Sequence, residues 1–274
     1  MLNFAQIGIQ VSVLQAGSFE PEYQAVLDRG FLLGYSLPST GQQIKGNQLI
    51  YDLKIAGIWD LLDVFYVFAV DGDSDFATLN WKAPSSFQAT KVNAPTFTSN
   101  QGFNGDASSS YLNTNFNQLN NSVYATPNSS AFVVGVNSTS AAANSKVTFG
   151  VRGSSFTHLF TRLSSGSGLA TTRNNAASGD RADIPSNSDR IGNYMGTRES
   201  SSEIRIYKDG SLGGSDVTSP SSGFLNLNFF ICGENQGGSL FNPTDEIITH
   251  VGWGNIGAYH SEFNSAWNTY FTSL

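Results

Sequence analysis

The sequence is short of charge. Asp, Glu, Lys and Arg make up 13% of its 274 residues, about half the share of roughly 25% found in typical globular chains. Small polar residues take their place, and 20 Phe and 10 Tyr supply the apolar bulk. This composition excludes an all-α fold, because surface helices need charged outer faces. Small polar residues combined with aromatics favour short strands joined by many turns.

Basic residues and cysteine are also scarce. The formal net charge is −7, and no two Lys or Arg residues are adjacent. A phosphate-backbone partner requires a basic stripe, so we expect no nucleic-acid binding. Cys232 is the only cysteine, and no internal disulfide can form. Its position in the apolar run 228–232 predicts a buried, unreactive thiol.

Long apolar runs are missing too. The longest, around residues 64–70, is far shorter than the roughly 20 residues that cross a bilayer as a helix. The N-terminus has neither the basic start nor the continuous apolar stretch of a Sec signal peptide. We therefore expect no membrane insertion, and a chain that is made and folded in a cytoplasm.

The stretch 202–211, with the sequence SEIRIYKDGS, predicts a β-hairpin. Ile204 and Ile206 share one face of a strand, and Asp209-Gly210 follows directly. Asp-Gly is a strong hairpin signal, because a type I′ turn needs two residues at positive φ.

Similar short apolar segments alternate with Ser-, Asn- and Gly-rich turns from about residue 85 onward, which is typical of a sandwich or barrel. The stretches 137–145 and 164–189 are predicted to be exposed loops. The segments predicted as strands are 111–116, 131–136, 146–151, 158–163, 190–195, 203–208, 225–232 and 247–251.

The N-terminal part has a mixed pattern. Residues 4–14 alternate between apolar and polar and predict a half-buried strand. Pro21 suits the first turn of a helix that ends near Arg29, with Gly30 as its stop. The chain from 59 to 70 predicts a short helix that leads into a buried strand.

Two further helices are predicted. Ser39 and Gln42 resemble the two ends of a capping box, and Ser261 is predicted to be the N-cap of a helix near the C-terminus. The apolar side of the first helix is predicted to contain Ile44, Leu49, Leu53 and Ile55. The second has an aromatic stripe that we assign to core packing, made of Phe263, Trp267, Tyr270 and Phe271.

Three segments resemble laminin G-like (concanavalin A-like) jelly-roll sandwiches. Residues 101–112 are similar to the opening strand of those domains, and 205–210 match their hairpin. Residues 247–251, followed by 259–274, resemble their final strand and closing helix. The resemblance implies a mainly β fold, an antiparallel jelly-roll β-sandwich over residues 85–274.

A second resemblance covers residues 23–105. Its most specific part is 65–82, FYVFAVDGDSDFATLNWK, which is similar to a helical module of phage and prophage virion proteins. In those proteins the module precedes a laminin G-like sandwich. The resemblance implies a bacteriophage structural protein of the head-fibre or tail-fibre type. Residues 1–84 would then form a small α/β module for attachment or oligomerisation.

Asp71, Asp73 and Asp75 place three carboxylates at alternate positions, as a calcium loop does. Phe76 stands where an EF-hand needs Gly, and Lys82 where it needs Glu. Alternate Asp residues also solvate turns or cap helices. We favour this second role and predict no metal ligand.

Two glycine motifs match cofactor-binding patterns only in part. Gly252, Gly254 and Gly257 fit a dinucleotide G-x-G-x-x-G, but the chain ends too soon for the βαβ unit. Gly41 and Gly46 have P-loop spacing without the lysine that must follow. We predict no cofactor.

Sandwich-fold glucanases require paired carboxylates in an E-x-D strand pattern. None of the seven Glu residues is followed two positions later by Asp. Glu203 lies in a predicted strand, but Arg205 shares its face. We therefore predict no catalytic residue and no enzyme.

The sequence therefore predicts a non-enzymatic virion protein, a head or tail fibre or a capsid decoration protein. Expected partners are other virion proteins and further copies of the chain, a trimer by analogy with phage fibres. The displayed sandwich would adhere to host-surface glycans through residues that the sequence does not locate. The alternatives are a lectin module of a cell-surface protein and a divergent glycoside hydrolase.

Overall fold

The structure is a computed structural model that describes residues 19–138, 146–163 and 169–274. The strand predicted at 4–14 lies outside these residues. The described helices are α1 (Pro21–Leu32), α2 (Thr40–Ile55), the short α3 (Gln118–Asn121) and α4 (His260–Phe271).

The strands, in chain order, begin with β1 (Leu62–Val67), β2 (Thr90–Val92), β3 (Thr96–Thr98), β4 (Gly102–Asn104), β5 (Tyr111–Asn117) and β6 (Ser130–Val136). The middle of the chain forms β7 (Lys146–Arg152), β8 (Phe156–Arg162), β9 (Ala170–Ala176), β10 (Ala182–Ile184), β11 (Gly192–Arg198) and β12 (Ile204–Lys208). The last five are β13 (Ser211–Asp216), β14 (Asn228–Ile231), β15 (Glu234–Gln236), β16 (Ser239–Phe241) and β17 (Ile247–Gly254).

These strands form two packed sheets. The eight-stranded sheet runs β13-β12-β11-β6-β17-β4-β3, and β1 also pairs with β17. The nine-stranded sheet runs β10-β9-β8-β7-β14-β5-β2, with β15 and β16 attached through β7. Among the described strands, all pairings are antiparallel except the short β15–β7 contact. The chain is thus a mainly β, antiparallel jelly-roll sandwich with a few helices, as the sequence predicts.

The Asp-Gly hairpin forms as predicted. Asp209 and Gly210 adopt φ values of 50° and 76° and join β12 to β13. Every segment predicted as a strand between residues 111 and 251 overlaps an observed one. The predicted short helix at 59 is a 3₁₀ turn that leads into buried β1.

One predicted loop is wrong. The stretch 164–189 contains β9 and β10, and most of β9 is buried. The hydropathy of this stretch does not predict a buried strand, because its buried residues are largely polar. Asn174 donates its side-chain amide to the Ser130 carbonyl (3.0 Å) and the Gly196 carbonyl (3.1 Å). Polar side chains that are satisfied in this way can occupy the space between the sheets.

Two predicted helix ends are also wrong. α1 continues through Gly30 to Leu32, and Gly34 takes the positive φ, 76°. Gly30 is required for packing instead, since a Cβ there would lie 2.8 Å from atoms of Leu37 and Phe76. α4 begins at His260, before the predicted cap Ser261, because a 3₁₀ turn leads directly into it.

Helix α2 differs in part from the predicted capping box and apolar side. Ser39 Oγ does accept the Gln42 amide (3.3 Å) as predicted. Gln42 itself turns inward, where its Oε1 accepts the Asp71 amide rather than closing a capping box. Leu49 and Leu53 are buried as expected, but Ile44 and Ile55 are exposed.

The predicted division into 1–84 and 85–274 stays a prediction. The two segments share one hydrophobic core, because β1 pairs with β17 along Leu62–Val67. Phe65 contacts Phe263 of α4 edge-on, with ring centroids 5.9 Å apart. The N-terminal segment therefore contributes a strand to the sandwich.

Candidate functional site

A small pocket opens between α4 and the neighbouring strands β6, β11 and β17. Its volume is about 150 Å³. Trp267 and Phe271 form its aromatic wall, and three polar residues at its rim are Asn137, Asp209 and Asn268. We call this the aromatic–amide pocket.

The hairpin turn places Asp209 at the pocket. Its Oδ1 accepts the backbone amide of Asn193 (2.8 Å), and its own amide donates to the Asn193 carbonyl (2.8 Å). A side chain at Gly192 would lie 2.8 Å from Asp209 Oδ1, so glycine there keeps the space open. Asp209 is exposed, and its second oxygen is free to accept from a ligand.

A hydrogen-bonded chain of side chains, buried except for the half-buried Asn264, supports the pocket floor. Asn193 Nδ2 donates to Asn264 Oδ1 (3.2 Å), which leaves Asn193 Oδ1 to accept from His250 Nε2 (3.1 Å). His250 Nδ1 lies 2.9 Å from Thr249 Oγ1. Burial lowers the pKa of His250 well below its usual value. The ring is therefore neutral and acts as a fixed positioning group.

The aromatic wall is supported by the same histidine. The rings of Trp267 and His250 lie 3.8 Å apart, and Phe271 stacks on Trp267 at 5.7 Å with an interplanar angle of 18°. Trp267 is buried, whereas Phe271 is partly exposed. The sequence assignment of this stripe to core packing is confirmed for Phe263, Trp267 and Tyr270.

The pocket combines an apolar wall with amide and carboxylate groups at its rim. Amides donate and accept, and a carboxylate accepts strongly. This set suits a small neutral ligand that carries several hydroxyl groups. Asp209 is the one acidic or basic side chain among the described residues that line the pocket, whereas glycoside hydrolysis uses a pair of carboxyl groups.

The three alternate aspartates are used within the fold. Asp73 Oδ1 accepts the amides of Asp75 (3.0 Å) and Phe76 (2.7 Å), which caps the 3₁₀ turn at Phe76–Thr78. Asp71 Oδ1 accepts the Ser39 amide (2.9 Å), and Asp75 pairs with Lys91 (2.7 Å). Asp73 thus has the capping role favoured from the sequence, and the absence of a metal ligand stays a prediction.

Glu203 and the glycines near the C-terminus also have structural roles. Glu203 Oε1 pairs with Arg205 on the same strand face (2.8 Å). At Gly254 a Cβ would lie 2.2 Å from the Leu61 carbonyl oxygen. Glycine there lets β1 approach β17 closely. Cys232 is buried, and burial raises the pKa of its thiol to about 12.

Sequence reasoning missed a charged cluster in the nine-stranded sheet. Glu234, on β15, is fully buried and lies 2.6 Å from His158 Nδ1. Arg152 approaches the other oxygen of Glu234 (3.5 Å), and Arg173 lies 3.0 Å from His158 Nε2. Burial lowers the pKa of His158 despite Glu234. The cluster joins β7, β8, β9 and β15, and no sequence motif connects these positions.

The pocket was missed for a related reason. Its residues come from five separate parts of the chain, and Asn and Asp are common in turns whether or not they bind anything. Within the described ranges, no group of three His, Cys, Asp or Glu residues is arranged to hold a metal ion. None of the described helices has the length and apolar character needed to cross a bilayer.

Comparisons with known proteins identify the fold. No family model matches the chain, and no curated protein matches it. A crystal structure of an HCR/D mutant is similar over 77% of this chain, with a TM-score of 0.51 and 12% identity. The match covers 53% of the HCR/D chain, so this chain spans about half of that length.

A carbohydrate-binding structure is also similar over a smaller part. The Ruminococcus gnavus IT-sialidase CBM40, bound to α2,6-sialyllactose, matches 51% of this chain and 82% of its own. Its TM-score is 0.36 and its identity 13%. At 12% identity, the similarity to the HCR/D structure shows a shared fold alone.

Proposed function

We propose that this protein is a non-enzymatic glycan-binding jelly roll, displayed on a bacteriophage virion as a head fibre, tail fibre or capsid decoration. The single observation that carries the glycan-binding part is the aromatic–amide pocket. The observation that supports the virion part is the resemblance of residues 65–82 to a virion module.

The chemistry of the pocket supports a sugar as its ligand. The face of a sugar ring carries C–H groups that pack on an aromatic side chain, and its edge carries hydroxyl groups. Phe271 offers the aromatic surface, while Asp209 and Asn268 offer acceptors and a donor. At about 150 Å³ the pocket is smaller than the roughly 300–1,000 Å³ of sites for drug-sized ligands. It therefore suits one sugar ring at a time.

Weak single sites are useful on a particle that carries many copies. Linked copies convert later binding events into intramolecular ones, and avidity then exceeds the affinity of one site by 10²–10⁴. A virion-displayed sandwich with a small pocket fits this mode. Attachment to the particle and to further copies is assigned to the N-terminal module, 1–84.

Binding without cleavage is the expected behaviour on a glycan. Purified full-length chain is incubated with host-surface polysaccharide, and both its retention and the polysaccharide chain length are measured. The proposal predicts retention with no shortening. Shortening would support the glycoside hydrolase alternative, and absence of retention from every host polysaccharide would leave a scaffold role alone.

The virion assignment has its own test. Mass spectrometry of purified phage particles, followed by antibody labelling in electron microscopy, should find the chain on the particle surface. Recovery only from the envelope of uninfected cells would contradict the assignment and support a cell-surface lectin.

A further inference from the structure

Helix α2 leaves an apolar stripe exposed. Ile44, Tyr51 and Ile55 are 59%, 45% and 74% exposed. They are spaced by seven and four residues, so they lie along one side of the helix. The opposite side of α2 packs into the core through residues such as Leu49 and Leu53. We call these three residues the α2 stripe.

Two grooves lie between α2 and α4, beside the two isoleucines of this stripe. One has a volume of about 240 Å³ and is lined by Ile44, Leu49 and Tyr270, among others. The second, of about 360 Å³, is lined by Ile55 and Ala266. Both grooves include Asp52 and Thr269, so they lie next to each other along the helix pair, and we call the two together the channel.

Charge is distributed unevenly along the channel. Lys45 lines one end, Asp52 lies near the middle, and Glu262 lines the other end. Lys45 and Asp52 are seven residues apart, about 10.5 Å along the helix at 1.5 Å per residue. Two α2 helices packed antiparallel about a twofold axis near Gln48 therefore bring Lys45 of each copy next to Asp52 of the other.

We propose that the α2 stripe and its channel bind a second copy of this chain in a twofold, antiparallel pair. Self-complementary charge is the reason for choosing this occupant, because a twofold contact presents the same patch from both sides. The exposed isoleucines then fill the facing channel and leave water. The pairing favours a dimer over the trimer expected by analogy with fibres.

The inference rests on the proposed assembly through the N-terminal module and is independent of glycan binding. If the dimer fails to form, the pocket and its glycan tests are unaffected. If glycan binding fails, the oligomeric state still decides this inference.

The first test uses the full-length chain in analytical ultracentrifugation at several concentrations. The wild type is expected to sediment as a dimer and Ile55→Asp as a monomer. Val217→Asp is the matched control, since Val217 is 61% exposed and lies away from the channel. It should remain dimeric, and circular dichroism should show all three chains folded.

A charge exchange distinguishes this specific contact from nonspecific hydrophobic association. Lys45→Asp and Asp52→Lys should each raise the dimer dissociation constant at least tenfold, because each places like charges together. The double variant should return it to near the wild-type value. It does not restore the intrachain bonds of Lys45 to the Ser273 carbonyl and of Asp52 to Gln48. Recovery therefore reports the contact between copies.

Three results would overturn the proposal. They are a monomeric or trimeric wild type, equal dissociation by Ile55→Asp and Val217→Asp, and a double variant as weak as the single ones. A monomeric or trimeric wild type is the result expected if a different virion protein or residues 1–18 occupy the channel instead.

Discussion

Gln42 shows how one polar residue connects three parts of this molecule. It is 4% exposed, and its Oε1 accepts the amide of Asp71. Its Nε2 donates to Asn100 Oδ1 (3.0 Å) and to the Ala69 carbonyl (3.3 Å). Helix α2 is thereby fixed to the end of β1. From the sequence Gln42 is interpretable only as a capping residue, because these three partners lie 27 to 58 positions away.

Two glycines of α2 have opposite roles. A Cβ at Gly46 would lie 2.6 Å from the ring of Tyr23, which is buried against Trp81. A Cβ at Gly41 would meet nothing closer than Ser39 Oγ at 4.0 Å. Gly46 is therefore needed for the contact between α1 and α2, whereas Gly41 is not.

Gly46→Ala should lower the free energy of unfolding by about 1–3 kcal/mol, the usual cost of overpacking a core. Gly41→Ala should raise it by about 0.5 kcal/mol, because alanine loses less backbone entropy in a helix. Urea unfolding monitored by tryptophan fluorescence measures both. Equal effects of the two variants would mean that the contact of Gly46 with Tyr23 is not a constraint.

At the scale of elements, prediction succeeded where local chemistry determines the structure. The β12–β13 hairpin follows from Asp209-Gly210, since few residues tolerate two consecutive positive φ values. Strand β1 follows from an uninterrupted apolar run. Strand β9 was missed because Asn174 and its neighbours are buried through hydrogen bonds, and hydropathy does not register partners in other strands.

Helix α2 illustrates a second limit of prediction from the sequence. Ile44 and Ile55 are predicted on its apolar side with Leu49 and Leu53, yet both isoleucines face solvent while Gln42 and Gly46 are buried. Residue type predicts burial only on average. Exposed isoleucines beside a channel are the observation from which the second copy is inferred.

At the scale of the whole molecule, the sandwich is the part that sequence predicted best. The resemblance of three segments to laminin G-like domains implied the two antiparallel sheets. The sequence does not predict the pocket, because the pocket forms only where β6, β11, β17 and α4 come together. Fold alone does not imply function, so the glycan proposal depends on that pocket.

The measurement that tests the central claim most directly is a titration of one bound host glycan against pocket variants. Asp209→Asn removes the carboxylate but keeps a residue that suits the turn, and Phe271→Ala removes the exposed part of the aromatic wall. Asp28→Asn and Phe31→Ala, both at exposed positions of α1, are the matched controls. The account predicts at least tenfold weaker binding by each pocket variant and unchanged binding by each control. Wild-type affinity in both pocket variants would contradict it.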